Sequence, residues 1–182
     1  MKLGIDPDRV KGFLPKEEGE SLYGFAKCYS SKGPCLEIGS YCGKSALYLG
    51  TAVKENNQLH YSIDHHRGSE EQQPGEEFFV PDLLDESGKG INTLHFFLDT
   101  IDKAGLNDIV IPIVSSSVEA SEVWSKPLAM VFIDGGHSEK AAHDDYDVWH
   151  PHIIKGGLLA IHDVFTNPED GGRPPSVSYT HM

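Results

Sequence analysis

The chain has 182 residues, of which 38% are apolar and 9% are aromatic, and its 15 Lys and Arg against 28 Asp and Glu give a formal charge of −13. A chain of this length can bury one sizeable core, so the composition predicts a single acidic globular domain over residues 1–182 that folds without a metal ion or a disulfide. The negative charge argues against nucleic acid and anionic membrane surfaces as partners, because both carry negative charge themselves.

The cysteines indicate a reducing compartment. Cys28, Cys35 and Cys42 are seven residues apart, which matches neither a metal-binding pair nor a secreted disulfide framework. The first residues contain no apolar segment of the kind found in export signals, and no stretch approaches 18 consecutive apolar residues. The sequence therefore predicts a cytoplasmic protein without a membrane span.

Short apolar runs alternate with segments of helical periodicity along most of the chain. Apolar residues recur at helical spacing in 21–29, 44–53, 91–104 and a stretch that contains Ala142, Tyr146 and Trp149. Strand-like runs occupy 35–38, 59–63, 109–114, 128–133 and 158–161. Gly105 follows the third predicted helix, where a C-terminal glycine cap belongs. This alternation, with unbroken apolar runs in the last two strands, predicts a doubly wound α/β domain with a mostly parallel sheet.

Two segments fall outside the alternation of strands and helices. Residues 65–90 carry seven acidic and two basic residues with Pro and Gly between them, so this insertion contributes −5 to the charge. A loop of this length in a compact domain is usually functional or disordered, and we expect it to cover the active site. Residues 166–182 are rich in Pro and Gly and lack periodicity, which predicts an irregular tail.

A glycine-containing turn lies between the first predicted strand and the next helix, where open α/β sheets bind ligands. A phosphate-binding loop requires four residues between its glycines, whereas Gly39 and Gly43 are separated by three. A dinucleotide fingerprint requires glycine at position 41, which is Tyr41. A third possibility is a turn for a cationic ligand, with backbone N–H groups for a carboxylate and the acidic Asp64 after the next strand for two ribose hydroxyls.

The pattern Glu37-x-Gly39-x-x-x-Gly43-x-Ser45, followed by Asp64, resembles the class I S-adenosylmethionine-dependent methyltransferases. The likeness covers about residues 20–165 and is closest to the catechol O-methyltransferase branch and to metal-dependent sugar and antibiotic O-methyltransferases. It implies a Rossmann-like methyltransferase fold with S-adenosylmethionine as cofactor. The cofactor-binding residues that it implies are Glu37, Gly39, Ser40, Tyr41, Gly43 and Ser45 for the methionine part, Asp64 for the ribose, Ser116 and Ser117 for the adenine, and Asp134. A plain helix N-terminus at Ser116 and Ser117 is the alternative.

Polar residues follow the last two predicted strands. Asp134 comes directly after 128–133, and His162 and Asp163 follow 158–161. Neighbouring parallel strands lie about 4.8 Å apart and end at one edge, so we expect these side chains to converge. Two carboxylates and an imidazole can hold a divalent cation, with the carboxylates favouring Mg²⁺ or Mn²⁺ and the imidazole favouring Mn²⁺, Fe²⁺ or Zn²⁺. The alternative for His162 is a partly buried histidine satisfied by hydrogen bonds.

The resemblance also implies roles for these residues. It places the metal at Asp134, His162 and Asp163, although the resembled enzymes have an acidic residue where this chain has His162. It places the general base at His137, whose ordinary pKa near 6.5 suits proton transfer at neutral pH, and the catalytic centre at His137 and Asp134. The alternative for His137 is a turn residue before a helix capped by Ser138.

These observations predict S-adenosylmethionine-dependent methyl transfer to a hydroxyl of a small molecule, assisted by a divalent metal. In the resembled fold two further strands follow the fifth, and 166–182 with its three prolines cannot supply them, so the predicted sheet lacks the last two strands. The chain would then be a truncated domain, would take strands from a partner, or would expose its fifth strand as an edge through which it forms a homo-oligomer. The alternatives are a non-catalytic cofactor-binding or interaction module on the same fold and, less well matched, a nicotinamide-dependent oxidoreductase.

Overall fold

The computed structural model describes residues 1–136 and 138–164, with Glu139 described by its backbone alone. The candidate base His137 and the predicted tail at 166–182 lie outside these residues. The helices of at least six residues are α1 (Lys16–Tyr29), α2 (Lys44–Glu55), α3 (Leu94–Lys103), α4 (Ser117–Glu122) and α5 (Glu139–Trp149). The strands are β1 (Cys35–Ile38), β2 (His60–Asp64), β3 (Val110–Val114), β4 (Leu128–Ile133) and β5 (Ile153–Ile161). Within the described ranges, no helix is both long and apolar enough to cross a membrane.

The five strands form one parallel sheet in the order β3-β2-β1-β4-β5. From β1 the chain proceeds outward through β2 and β3, and then it crosses back to place β4 on the other side of β1. The strand order therefore reverses between β1 and β4, which is where open α/β sheets bind their ligands. The predicted doubly wound parallel α/β class is confirmed.

Helices cover both faces of the sheet. One face packs against α1, α2 and α3, whose buried side chains include Leu22, Tyr48 and Phe97. The other face packs against α4 and α5, where Trp149 is fully buried. Every residue of β1 and β4 is buried, as expected for central strands covered on both sides. The centre of the sheet is thus a rigid base for the loops that leave its carboxyl edge.

Three predicted elements begin at least three residues away from their predicted start, and the first is α1, which begins at Lys16 instead of residue 21. Helix α3 begins at Leu94 instead of residue 91, because Ile91 forms an antiparallel bridge with Leu84 and the N–H of Asn92 donates to the carbonyl of Leu83. Strand β5 begins at Ile153 instead of residue 158. Its first half lacks an unbroken apolar run, and a shift in its register with β4 lies between the two halves.

The insertion at 65–90 is structured in part. It contains two single-turn 3₁₀ helices, Glu70–Gln72 and Pro81–Leu83. Leu83 and Ile91 are fully buried with Cys42 in a small apolar cluster beside the first turn. The acidic segment is therefore anchored to the body of the domain at its C-terminal end.

The ends of β1 and β4 meet at Gly39. Its φ of 87° is in the left-handed region, and a Cβ atom added there would overlap the carbonyl oxygen of Asp134. Only glycine combines this backbone conformation with so close an approach of another backbone. Gly39 thus sets the distance between the loop after β1 and the loop after β4.

We expect Gly39→Ala to lower the free energy of unfolding more than Gly105→Ala, the matched control. Gly105 also has a left-handed φ, of 66°, but open space surrounds its Cβ position. The control substitution costs about 1–2 kcal/mol for backbone strain alone, whereas Gly39→Ala adds about 1–3 kcal/mol for the overlap. Urea unfolding followed by circular dichroism measures both, and equal losses would contradict the close approach at Gly39.

Candidate active site

A cavity of about 720 Å³ opens at the carboxyl edge of the sheet, over the point where the strand order reverses. Residues that follow β1, β2, β4 and β5 form its floor, as the sequence predicted for a ligand site of this fold. Its rim comes from the N-terminal segment 11–14 and from part of the acidic insertion, including Glu70, Gln72 and Phe78. The volume is within the range of small-molecule sites.

The turn after β1 presents Gly39, Ser40, Tyr41 and Ser45 to this cavity. Gly39 and Gly43 have positive φ angles, and Tyr41 has a φ of 47°, so the chain reverses sharply before α2 begins. Left-handed backbone at a non-glycine residue is uncommon and persists where the surroundings hold it. Here the backbone N–H of Tyr41 donates to Oδ2 of Asp64 over 2.7 Å, which fixes the turn to the end of β2.

Asp64 ends β2 and lines the cavity. Its Oδ2 accepts from Tyr41, and its Oδ1 accepts from the backbone N–H of His66 over 2.7 Å. Each oxygen of an ionised carboxylate has about two acceptor positions, so each keeps a position for a ligand. The carboxylate is therefore held in one orientation and can accept hydrogen bonds from two adjacent hydroxyls.

His66, whose backbone N–H binds Asp64, does not itself line the cavity. It is buried, with a φ of 58°, and its Nδ1 lies 2.8 Å from Oγ1 of Thr93 at the start of α3. Burial lowers the pKa of this imidazole, so the neutral form is favoured. The sequence placed His66 either at the cofactor or substrate mouth or in a plain loop, and it did not indicate this contact, because Thr93 lies 27 residues further along the chain.

Ser116 and Ser117 both line the cavity. Ser116 caps α4, since its Oγ accepts from the N–H of Glu119 over 3.3 Å and donates to the carboxylate of Glu119 over 2.7 Å. Ser117 accepts a hydrogen bond from the indole N–H of Trp149 over 2.8 Å. The helix-cap interpretation of Ser116 is thus observed, and a contact of both serines with adenine stays a prediction.

Two predicted cofactor residues, Glu37 and Gly43, do not line the cavity. Glu37 is fully buried within the sheet, where it accepts from the hydroxyl of Ser62 over 2.7 Å and lies 3.4 Å from Nε2 of His60. Gly43 faces α3, because a Cβ added there would lie 3.3 Å from Phe97 and Thr100. Both residues support the turn from the side that faces the protein interior, because Glu37 lies in a buried strand and Gly43 directly precedes α2.

The polar ends of β4 and β5 converge as predicted. Nδ1 of His162 lies 3.2 Å from Oδ1 of Asp134 and 3.0 Å from Oδ2 of Asp163, and all three residues line the cavity. Hydrogen bonds with Asp134 and then Asp163 raise the pKa of His162 to about 11. In the absence of a metal ion these carboxylates therefore favour the charged imidazole over the neutral one.

The donor set of this cluster is compatible with a divalent cation. One ligand atom from each residue can be chosen so that all three lie within 4.8 Å of one another. In an octahedral site with ligands at about 2.1 Å, neighbouring ligand atoms lie about 3 Å apart, close to the two separations measured from His162. Two carboxylates and one imidazole suit Mn²⁺, Fe²⁺ or Zn²⁺ as well as Mg²⁺. Metal binding itself stays a prediction.

The lining of the cavity is acidic. Seven acidic residues line it, whereas in the described part of the chain its only lysines are Lys11 and Lys44. At one side of the mouth, the ring of Phe13 lies 5.8 Å from that of Tyr41 and 5.4 Å from that of Phe78. A cavity with negative charge and an aromatic wall favours a small cationic or neutral ligand over a polyphosphate.

Sequence reasoning expected the insertion to cover the site, but it did not single out several residues that line the cavity or contact its lining. The N-terminal segment 11–14 and Phe78 of the insertion reach it through contacts distant in sequence. Glu18 of α1 lies 2.6 Å from Nε2 of His162. An acidic residue in the first turn of a helix is common without any ligand, so the sequence carried no specific signal for it.

Residues 36–164 match a family described as "Methyltransferase domain". A putative caffeoyl-CoA O-methyltransferase from Staphylococcus aureus is similar in structure, with a TM-score of 0.59 and 15% identity over 86% of this chain and 61% of that one. The O-methyltransferase TomG from Streptomyces achromogenes, solved in complex with S-adenosylmethionine, has a TM-score of 0.59 and 15% identity over 82% of this chain and 56% of that one. The chain thus spans less than two thirds of either protein.

An rRNA methylase from Streptococcus thermophilus is also similar, with a TM-score of 0.54 and 10% identity over 83% of this chain and 72% of that one. Proteins described as acting on different acceptors therefore share this architecture, and the fold alone does not choose among acceptors. The family match covers more than half of the chain and includes the turn after β1, Asp64 and the cluster at the ends of β4 and β5. The chain belongs to the methyltransferase domain family, and its fold is that of the class I S-adenosylmethionine-dependent methyltransferases.

Proposed function

We propose that this protein transfers the methyl group of S-adenosylmethionine to a hydroxyl of a small molecule, with a divalent metal assisting. The observation that carries the proposal is the carboxylate of Asp64, fixed by two backbone N–H groups at the edge of the cavity. A carboxylate held in this way can accept both hydroxyls of a ribose. The family match and the S-adenosylmethionine bound to TomG, which has the same fold, support the same cofactor.

The other cavity residues have complementary parts in this proposal. The turn from Gly39 to Ser45 would contact the methionine part, and Ser116 and Ser117 would lie beside the adenine. The seven acidic lining residues suit a sulfonium, whose positive charge a basic cavity would repel. Glu37 and Gly43 act here by shaping the turn rather than by touching the cofactor.

Bound S-adenosylmethionine supplies a methyl carbon that the acceptor oxygen attacks, while the carbon–sulfur bond breaks and its electron pair stays on sulfur. This chain's part is to align the two reactants and to take the acceptor's proton. Asp134 is placed for the first task, because its backbone contacts Gly39 and its side chain faces His162. His137 is the proposed base.

Asp134, His162 and Asp163 would hold the metal ion, which would lower the pKa of an acceptor hydroxyl and orient it. The size of the cavity and the aromatic wall of Phe13 and Phe78 favour a small acceptor. The acidic lining opposes a nucleic acid. An acceptor with a hydroxyl next to an apolar or aromatic body matches these surfaces best.

We expect Asp64→Asn to weaken binding of S-adenosylhomocysteine by about 10–100-fold. The loss of the charge-assisted hydrogen bonds costs about 1.5–3 kcal/mol, and each 1.4 kcal/mol is a factor of ten in affinity. Asp108→Asn is the matched control, because Asp108 is exposed and does not line the cavity. Calorimetric titration measures both variants. Equal affinities would remove Asp64 from the cofactor site, and no binding by folded wild-type protein would overturn the proposed function.

We expect methyl-labelled S-adenosylmethionine to label small hydroxylated aromatic compounds in the presence of Mg²⁺ or Mn²⁺, and to label them less after addition of a chelator. Mass spectrometry locates the label, and total RNA serves as the competing acceptor. Label on RNA would contradict the small-molecule assignment. Turnover that ignores the chelator would contradict metal assistance, and cofactor binding without transfer to any acceptor would favour a non-catalytic binding module.

A further inference from the structure

We propose that Glu18 of α1 is a positioning residue for the cluster of Asp134, His162 and Asp163. Its Oε2 lies 2.6 Å from Nε2 of His162, although the two residues are 144 positions apart in the sequence. The inference rests on the proposed metal-assisted function and assigns to the N-terminal helix a part in the site that neither the family match nor the sequence pattern assigns.

The two nitrogens of His162 face different partners. Nε2 points to Glu18, whereas Nδ1 points to Asp134 and Asp163. A metal ion held by Asp134 and Asp163 would take the lone pair of Nδ1, which leaves the one N–H of the neutral imidazole on Nε2, and the carboxylate of Glu18 is placed to accept it. In that tautomer the lone pair of Nδ1 is directed toward the two aspartates, which is the form that can bind a metal together with them.

Helix α1 is rigid enough to make this contact effective. The residue after Glu18 is Gly19, which is buried against the ring of Tyr48 so closely that a Cβ atom would overlap it. One turn further on, Leu22 and Tyr23 are buried in the core. The backbone at Glu18 is therefore fixed against α2, so the side chain starts from one defined position relative to His162.

The carboxylate of Glu18 stays in contact with solvent. Its side chain is 50% exposed, so it keeps much of its hydration, while that of His162 is 21% exposed. Glu18 also lies in the first turn of α1, where the helix dipole favours a negative charge. Glu18 thus orients His162 without the cost of a buried unpaired carboxylate, and it remains outside the group of residues that would touch the metal.

Titration of the metal-free protein with Mn²⁺, followed by electron paramagnetic resonance, tests the proposal. We expect Glu18→Ala to weaken Mn²⁺ binding by about 10–100-fold, the range found when the partner of a metal-bound histidine is removed. Glu18→Gln should recover part of this loss, because its amide oxygen still accepts from the Nε2–H. Glu17→Gln is the matched control, since it removes the same charge from the neighbouring exposed position of α1.

A second measurement tests whether Glu18 orients the imidazole of His162 or only stabilises the fold. In protein loaded with Zn²⁺, ¹⁵N chemical shifts should show His162 protonated at Nε2 and metal-bound at Nδ1. Binding of S-adenosylhomocysteine, measured in the same samples, should be equal in Glu18→Ala and wild type, which shows that the variant is folded.

The possible results distinguish failure of the role of Glu18 from failure of metal assistance. Equal Mn²⁺ affinities for Glu18→Ala and Glu17→Gln would overturn the role of Glu18 and leave the metal in place. A wild-type protein that binds S-adenosylhomocysteine but no Mn²⁺ would overturn metal assistance and the role of Glu18 together, while leaving the cofactor assignment. Metal bound at Nε2 would overturn the positioning role alone.

Discussion

The close approach of Gly39 to Asp134 is the constraint on which the rest of the site depends. A parallel sheet whose strand order reverses leaves a gap between the loops after β1 and β4, and the width of that gap is set where the two backbones touch. On one side of this contact lies the turn that is tied to Asp64. On the other side, Asp134 carries the side chain that faces His162. One backbone contact therefore fixes the half of the cavity proposed for the cofactor relative to the half proposed for the acceptor.

Part of the negative charge of the chain is concentrated at this site. Carboxylates are concentrated at the carboxyl edge of the sheet, and His162 lies among three of them: Asp134, Asp163 and Glu18. A cation is needed there to offset their mutual repulsion, and either the imidazolium or a metal ion can supply it. The raised pKa of His162 and the proposed metal site are thus two consequences of one electrostatic arrangement.

The parts of the fold that sequence could predict are those dictated by local pattern. Strand β4 has the predicted bounds because a strand buried on both faces is apolar throughout, and Gly105 could be placed after α3 because helices commonly end with a left-handed glycine. The start of α3 was placed three residues too early, since the bridge between Ile91 and Leu84 joins segments that no periodicity connects. The first half of β5 was missed because Lys155, Gly156 and Gly157 interrupt the apolar run, in the region where the register with β4 shifts.

The site shows the same difference between residues that local pattern predicts and residues that distant contacts bring together. Gly39, Asp64, Asp134 and Asp163 lie at the ends of strands or within two residues of them, so their convergence can be predicted from the order of the elements alone. Phe13 and Phe78 meet at the cavity mouth from the N-terminal segment and the insertion, and no rule of strand order brings them together. The sequence indicated that the insertion lies near the site, but it did not indicate that Phe78 meets Phe13 there. In the proposed function, selection of the acceptor would depend on these two segments outside the sheet, whereas cofactor binding would depend on the strand ends, which local pattern predicts most readily.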